Sequence, residues 1–433
     1  MVATLAVSLV ESLTATSGAG RREAAVAVHS QVRPIDEREL ARVLAEASAA
    51  GTPLEILGAG SKQKIGRPIQ TAASVSSKAM RGITLYEPSE MVMTARAGTP
   101  LAEVEATLAK RGQMLAFEPV DYGPMMGGEA GQATIGGVFA ANVSGPRRVA
   151  AGAARDHLLG IRGVNGRGEI FKSGGRVMKN VTGYDLCRGL AGSWGTLAVL
   201  SEVTFKVLPA PEKTGTLVLF DLPDEIAVEA LCTAMASPFE VSGAVHLQAA
   251  LAARLEHPGL RSQGKAVTAL RVENFAKSVA YRKGRLKDLL KAYGTIMDLE
   301  RGASQQFWNE MRGLSVLRGS DAPVWRISTR PTAGPKVVTA LSSYMECHAF
   351  YDWSGGLVWA EVPPTTDAGA ADVRRVIAGL GGHATLIRAE PQVRAAVEVF
   401  QPLEAGLDRL SRRLKTAFDP AGILNPGRMY AGM

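Results

Sequence analysis

GQATIGGVFAANVSGPRRVAAGAARDHLLGIRGVNGRGEIFKSGGRVMKNVTGYDLCRGLAGSWGTLAVLSEVTFKVLP, residues 131–209, decides how the rest of the chain is read. Its glycines stand among small and β-branched residues. A residue without a Cβ neither blocks an approaching ligand nor resists positive φ, so such a run lets backbone N–H groups close on a bound group. A shorter run lies upstream, Gly58, Ala59, Gly60, Ser61 and Lys62, directly after a strand-like LEIL at 54–57. Successive N–H groups there form an anion nest, to which Ser61 adds a hydroxyl. By itself this first run is equally well a tight turn after a strand. Paired with Thr134, Ile135, Gly136 and Gly137, and with Asn142, Ser144 and Gly145 after them, it reads as half of a cradle for a dinucleotide pyrophosphate. No G-x-G-x-x-G opens a helix inside a βαβ unit, so a Rossmann-type nicotinamide site is not supported.

Outward from these loops, 433 residues at 46% hydrophobic and 21% charged are enough for a large core divided into more than one domain. The formal net charge is +8, yet Lys and Arg are dispersed without the aromatic interleaving of a single-strand binder, which argues against nucleic acid. A basic surface suits a dinucleotide, a small carboxylate or an acidic partner subunit. Cys187, Cys232 and Cys347 stand far apart with no C-x-x-C spacing, which fits a reducing compartment and neither a disulfide framework nor a zinc or iron–sulfur site. VATLAVSLV near the N-terminus lacks a basic n-region and is too short to span a bilayer, so residues 1–30 are read as a tail and no transmembrane segment is expected.

DERELARVLAEASAAG (36–51) places Leu40, Val43, Leu44 and Ala47 on one helical face, with Gly51 as its stop. MVMTARAG (91–98) is a predicted strand, and TPLAEVEATLAKRG (99–112) a predicted helix with Thr99 as N-cap. HLLGIRGVN, GEIFKSG and GTLAVLSEVTFKVLP predict three strands, the last alternating through Leu197, Val199, Val203, Phe205 and Val207. PAPEK (209–213) breaks the pattern and marks a boundary. Residues 210–390 mix runs such as TLVLF, AVHLQ, KAVTALRV and GGLVWAEV with helical DEIAVEALCTAMA and YRKGRLKDLLKAYG, which suits an antiparallel sheet with helices on one face. The last segment, 391–433, carries Leu403, Leu407, Leu410 and Leu414 on one helical side before a Pro/Gly stop. The expected organisation is a tail (1–30), a cofactor domain (31–209), a cap (210–390) that holds substrate or a subunit contact, and a C-terminal helix and return segment.

GAGSKQKIGRP (58–68), EPSEMVMTARAGTPLAEVEATLA (87–109), ATIGGVFAANVSGPRR (133–148), VMKNVTGYDLCRGLAGSWGTLAVLSEVTFKVLP (177–209) and FDPAGILNPGRMY (418–430) together resemble the vanillyl-alcohol-oxidase, or p-cresol-methylhydroxylase, type of FAD-binding flavoprotein. Within that family they resemble the FAD-binding subunits of bacterial glycolate oxidase. The resemblance implies an α+β fold: a two-lobed FAD-binding domain of the p-cresol methylhydroxylase type, with an antiparallel-sheet-plus-helices cap. It places residues 58–62 and 134–137 on the pyrophosphate, Ser144 and Gly145 nearby, and Arg148 and Asp156 as organisers of that loop. Gly183, Tyr184, Asp185, Glu202, Val203 and Asn425 follow along the flavin and adenosine. For Trp194 a core position is the preferred reading. The first loop has no His or Cys at the family's attachment positions, so FAD is expected to be noncovalent.

Oxidising a 2-hydroxy acid at a flavin needs a cation for the carboxylate, a base near the hydroxyl and a carbon held against flavin N5. Arg326 in VWRIST and Arg388 in HATLIRAE are the candidate carboxylate binders, since a guanidinium fork matches a carboxylate. His383 in GGHATLIR is the candidate base, and GGHAT resembles a signature of the glycolate oxidase FAD subunit. The plainer readings are surface ion pairs for the arginines and a turn cap for the histidine. Six histidines, at 29, 157, 246, 257, 348 and 383, show no metal-ligand spacing, so no metal is expected.

Two functions follow. In one the chain oxidises glycolate or a similar acid and passes electrons on; in the other it is an FAD-binding accessory or electron-relay subunit beside a larger catalytic flavoprotein chain. The resemblance implies a larger FAD subunit and an iron–sulfur subunit as partners, and a cytoplasmic location with peripheral attachment to the inner membrane face left open.

Overall fold

The computed structural model describes residues 30–176, 184–299 and 301–433. Helix α1 (Glu37–Ala50) forms where the apolar spacing predicts it, with Asp36 as N-cap accepting from the amides of Arg38 and Glu39 and Gly51 closing it at φ 61°. Its buried face, Leu40, Leu44 and Ala47, packs over β1 (Leu54–Leu57) and the parallel β2 (Ala73–Ser76).

A second, five-stranded antiparallel sheet follows. Its strands β3 (Ile83–Glu87) and β4 (Val92–Arg96) precede the helices α2 (Leu101–Ala109) and α3 (Ile135–Ala140). Its remaining strands are β5 (Leu158–Asn165), β6 (Ile170–Gly174) and β7 (Ala198–Lys206), and the order is β3-β4-β7-β5-β6. Two local expectations change. Pro100, not Thr99, is the N-cap of α2, because the Thr99 hydroxyl is taken up by the carbonyl of Arg96 at 2.7 Å and accepts from the Gly82 amide at 2.9 Å. In β7 the simple alternation fails at a bulge: Glu202 pairs with Arg162 but Leu200 with Gly163, leaving Ser201 as an extra residue. Leu200 and Val203, three apart, therefore share one core while Val199 faces another.

Beyond PAPEK the chain builds an eight-stranded antiparallel sheet. The elements run β8 (Lys213–Phe220), α4 (Asp224–Met235), β9 (Val241–Leu247), β10 (Val267–Asn274), α5 (Ala276–Leu290), β11 (Ile296–Leu299), α6 (Arg301–Arg312), β12 (Val324–Ser328), α7 (Gly334–Ser342), β13 (His348–Asp352), β14 (Leu357–Glu361), α8 (Ala370–Leu380) and β15 (His383–Arg388), in sheet order β11-β8-β10-β9-β13-β14-β12-β15. One face packs on α4, α5, α7 and α8. The other packs on α6 and on Ile65, Val120, Tyr122, Met125 and Val143 from the first part of the chain, so helices do not confine themselves to one side. Burial on both faces explains why TLVLF and GGLVWAEV read as continuous apolar runs. Helix α9 (Ala405–Phe418) and the return segment follow, where Ile423 accepts from the Leu54 amide at 2.8 Å and ties the C-terminus to β1.

An ionic network joins the large sheet to the first part of the chain. Arg271 on β10, 1% exposed, lies 4.4 Å over the Trp308 ring and grips Glu118 with two hydrogen bonds of 2.9 and 2.8 Å. Arg147 bonds Glu273 at 2.9 and 2.8 Å in the same fashion. Burial works to raise the Glu273 carboxyl, but Arg271 and Arg147 overcome it and hold it at about 2.

Candidate functional site

β1 runs straight into the first glycine loop, and the start of α3 lies against it. Thr134 is the α3 N-cap, accepting from the Gly137 amide at 3.3 Å. A Cβ on Gly58 would overlap the Thr134 hydroxyl, and one on Gly136 would stand 2.5 Å from Ala97 Cβ. The first loop can therefore approach Thr134 only because Gly58 has no side chain, and α3 can seat against Ala97 only because Gly136 has none. Between the two loops opens a cleft lined by residues 56–63, Ser77, Ala97, Thr134, Gly136, Gly137, Ala140, Ala141, Trp194, Gly195, residues 198–200 and Arg428.

Two cations face this cleft. Lys62 has only a 3.4 Å bond to Ser61 Oγ, and burial brings its ammonium down to about 8 against the pull of Asp121. Arg428 is buried, stands 5.7 Å from the Trp194 ring, donates to the Lys62 carbonyl at 2.8 Å and leaves its Nε without a partner; burial lowers it to about 10. Amide-lined glycine loops with two cations that no described carboxylate pairs are the donor set a diphosphate needs, so the cleft fits a phosphate-bearing dinucleotide.

Residues 58–62, Thr134, Gly136 and Gly137 are thus brought together as the sequence predicts. Others play supporting parts. Asn142 at φ 49° accepts from the Arg155 amide, Ser144 from Ala154, and Asp156 from Ala153, which holds the turn after α3. Buried Asn425 accepts from the Ile56 amide at 2.8 Å and donates to the Trp194 carbonyl at 2.8 Å, fixing two walls of the cleft without lining it. Ile135 and Val203 lie in the core beneath, and Glu202 accepts from Thr84; residues 198–200 line the cleft where Glu202 and Val203 are expected, because the Ser201 bulge re-aims the strand. Tyr184 is 89% exposed and Asp185 caps a short helix, both away from the cleft lining, while Gly183 lies outside the described residues. Trp194 packs against the core as expected and also walls the cleft, in a left-handed turn at φ 54°.

A second constellation gathers on the large sheet. β12 turns Trp325 and Ile327 into one core and Arg326 toward the other face, over Trp353 at 5.2 Å and Trp359 at 6.0 Å. Arg148, which follows the second glycine segment, lies over the same Trp353 ring at 4.4 Å, and the Trp353 indole donates to the Gly145 carbonyl at 3.1 Å. Among the described residues neither guanidinium has a side-chain hydrogen bond or carboxylate partner. Burial lowers both, Arg148 also through Arg326, while Asp156 pulls Arg148 up and Tyr122 and Asp352 pull Arg326 up. Trp353 and Ser354 both take positive φ, 51° and 62°, a strained turn that holds the indole between Arg326 and the Gly145 carbonyl. His383 pairs with Ser328 at the exposed start of β15, where partial desolvation, Arg326 and Arg148 hold its imidazole below the ordinary value. Buried Tyr122 is also raised by burial and opposed by Arg326.

Arg388 is corrected. Its donors are spent on the carbonyls of Ala322, Leu317 and Met125 and on Glu361, so it braces β15 and has no fork left for a ligand. Arg148, Trp353, Tyr122 and Arg428 are the residues that sequence reasoning missed in these roles. Only the adjacency of Arg147 and Arg148 hinted at one of them, and nothing in the sequence tells which arginine is paired.

Residues 29–174 match the FAD binding domain family. Glycolate oxidase subunit GlcE of Escherichia coli K12 is 35% identical over 385 residues, 88% of this chain and 93% of that protein. The chain belongs to the GlcE family of FAD-binding subunits. Glycolate oxidase subunit GlcD of Bacillus subtilis 168 is 24% identical, covering 92% of this chain and 88% of that one. The crystal structure of p-cresol methylhydroxylase with substrate bound superposes with a TM-score of 0.66 at 14% identity, over 93% of this chain and 88% of that one, which establishes the shared fold. As a GlcE-family member the chain is an FAD-dependent oxidoreductase, and FAD is the dinucleotide its paired glycine loops fit. No helix among the described residues is long and apolar enough to cross a membrane.

Proposed function

We propose that this chain oxidises glycolate, or a 2-hydroxy acid of similar size, to its 2-oxo product, with onward transfer of electrons through a larger FAD subunit and an iron–sulfur subunit of one complex. The observation that carries the reading is the pair of unpartnered guanidiniums, Arg148 and Arg326, on the ring of Trp353. Two partly buried cations held near each other with no carboxylate in ion-pair contact raise the energy of the empty site, which the more distant Asp156 and Asp352 offset only in part, and a substrate carboxylate relieves it.

Lys62, Thr134, Arg428 and the amides of the two loops would hold FAD, noncovalently since no Cys or His lines the cleft among the described residues. When bound, FAD supplies a hydride acceptor at flavin N5. Arg326 and Arg148 orient the substrate through its carboxylate. His383, kept neutral at pH 7 by its lowered pKa, accepts the hydroxyl proton at an imidazole nitrogen. Trp353 and Trp359 exclude water from one side of the pocket. The division into a cofactor domain to 209, a cap to 390 and a return segment belongs to the same proposal, supported by the sheet boundaries on either side of PAPEK.

The unpaired arginines favour a substrate site in this chain over an accessory role. Anaerobic addition of glycolate to the isolated chain tests it: bleaching of the flavin absorbance is expected, and an unbleached flavin with FAD fully bound would leave the accessory reading standing.

A further inference from the structure

Helix α9 carries its apolar side outward. Leu407, Leu410 and Leu414 are 52%, 59% and 36% exposed, and Lys415 is the buried residue of the helix. The Lys415 ammonium anchors the adjoining, inward side, bonded to Asp419 at 2.7 Å and to the carbonyls of Thr196 and Leu424 at 2.8 Å. Beside the leucines runs a hollow floored by Met429, Tyr430 and Met433. Leucines three and four apart form the narrow seam of a helix-to-helix contact, not the wide stripe of a helix covered by its own core. Arg409 and Arg413 stand exposed on the same helix. The hollow is close to the cofactor: Tyr430 lies 6.2 Å from Phe400, and Phe400 5.6 Å from Trp194, which walls the FAD cleft.

We propose that α9 and this hollow are the docking surface for a partner subunit, received as an amphipathic helix whose apolar seam lies along Leu407, Leu410 and Leu414 and whose flanking carboxylates meet Arg409 and Arg413. The inference rests on the reading of the chain as one subunit of a complex. A partner seated here stands two aromatic rings from the flavin cleft, a position suited to the subunits with which electrons are exchanged. A lipid surface fits less well, because the leucines border a concavity and span only two turns.

The test co-expresses the full chain with the larger flavoprotein and iron–sulfur subunits of its complex and measures assembly by native mass spectrometry and gel filtration. Leu407→Glu with Leu410→Glu should weaken assembly about 100-fold or more, as expected for two seam residues of hot-spot rank. Arg409→Glu with Arg413→Glu should weaken it about tenfold, an effect that shrinks in high salt. FAD content and melting temperature of the isolated variants should stay at the parental level. Parental assembly by both variants, or failure of the parent to assemble, overturns the inference. So does a leucine-dependent homodimer of the isolated chain, or leucine-dependent pelleting with equimolar phosphatidylcholine–phosphatidylglycerol vesicles, if assembly with the subunits is intact. Assembly is read without substrate, so a chain that never bleaches with glycolate yet loses its partners in the leucine variant overturns the substrate reading alone.

Discussion

The glycine-loop cleft and the arginine cluster present positive charge by opposite means. The cleft is made largely of backbone, where Gly58, Gly136 and Gly137 let amides converge because nothing stands in the way. The cluster is made of side chains, two guanidiniums over one indole with an imidazole within their electrostatic reach. A backbone site fails when atoms are added, and a side-chain site fails when they are removed. That difference gives each region its own sensitivity to mutation.

The largest effect is expected at Gly58. Gly58→Val pushes β-branched carbons into the Thr134 hydroxyl and should abolish FAD retention, read as the flavin-to-protein absorbance ratio of the purified chain; a yellow variant would show that the cradle is not backbone-built. His383→Ala should slow glycolate-dependent bleaching by about 10²–10⁴ with FAD content intact. Because the imidazole pKa is lowered, its neutral form persists below pH 6.5, so the parental rate should hold at neutral pH and fall only as pH drops through that lowered value; a profile that declines above pH 7 would point to another base.

The bridge between the two regions comes next. Arg271→Ala leaves Glu118 and Glu273 buried with less compensation and should cost about 3–5 kcal/mol in denaturant titrations. With Glu273 depressed to about 2, its contribution is present above the unfolded carboxyl value of about 4.3 and is lost as pH falls toward 2. The parental chain should therefore lose stability steadily over that acid range, and Arg271→Ala should show a flatter profile. Arg326→Ala should raise KM for glycolate about 100-fold, the loss of one charge-assisted bidentate contact, and leave FAD bound. Equal KM in parent and variant would remove Arg326 from the pocket. Smallest is Asn425→Ala, which orphans the Ile56 amide and frees Trp194, with about 1–3 kcal/mol lost and FAD held about tenfold more weakly by equilibrium dialysis.

The sequence disclosed these regions unequally. Glycine loops are local: residues 58–62 and 134–137 lie consecutively, and missing side chains are visible in a string of letters. Helix α1 and strands β1, β4, β5 and β8 were legible for the same reason, since their apolar periods and caps sit within a few residues of each other. Local reading failed where a distant group competed. Thr99 gave its hydroxyl to Arg96 and Gly82 instead of to a helix amide, and the Ser201 bulge moved the cleft lining from Glu202 and Val203 to residues 198–200.

Arg147, Arg148, Arg326 and Arg388 are one residue type with three fates: ionic bridge, free pocket cation and carbonyl brace. A guanidinium's fate depends on which carboxylates and carbonyls come within about 3 Å of it, and those arrive from elements between 27 and 263 positions away. Backbone conformation and cofactor class were thus written in short-range composition, while the choice of which cations stay unpaired belonged to the packing of the large sheet against the second glycine segment. The physical ground for the division is range: steric freedom of a peptide unit is settled by its own side chain, whereas the pairing of a charge is settled by whatever the completed fold brings beside it.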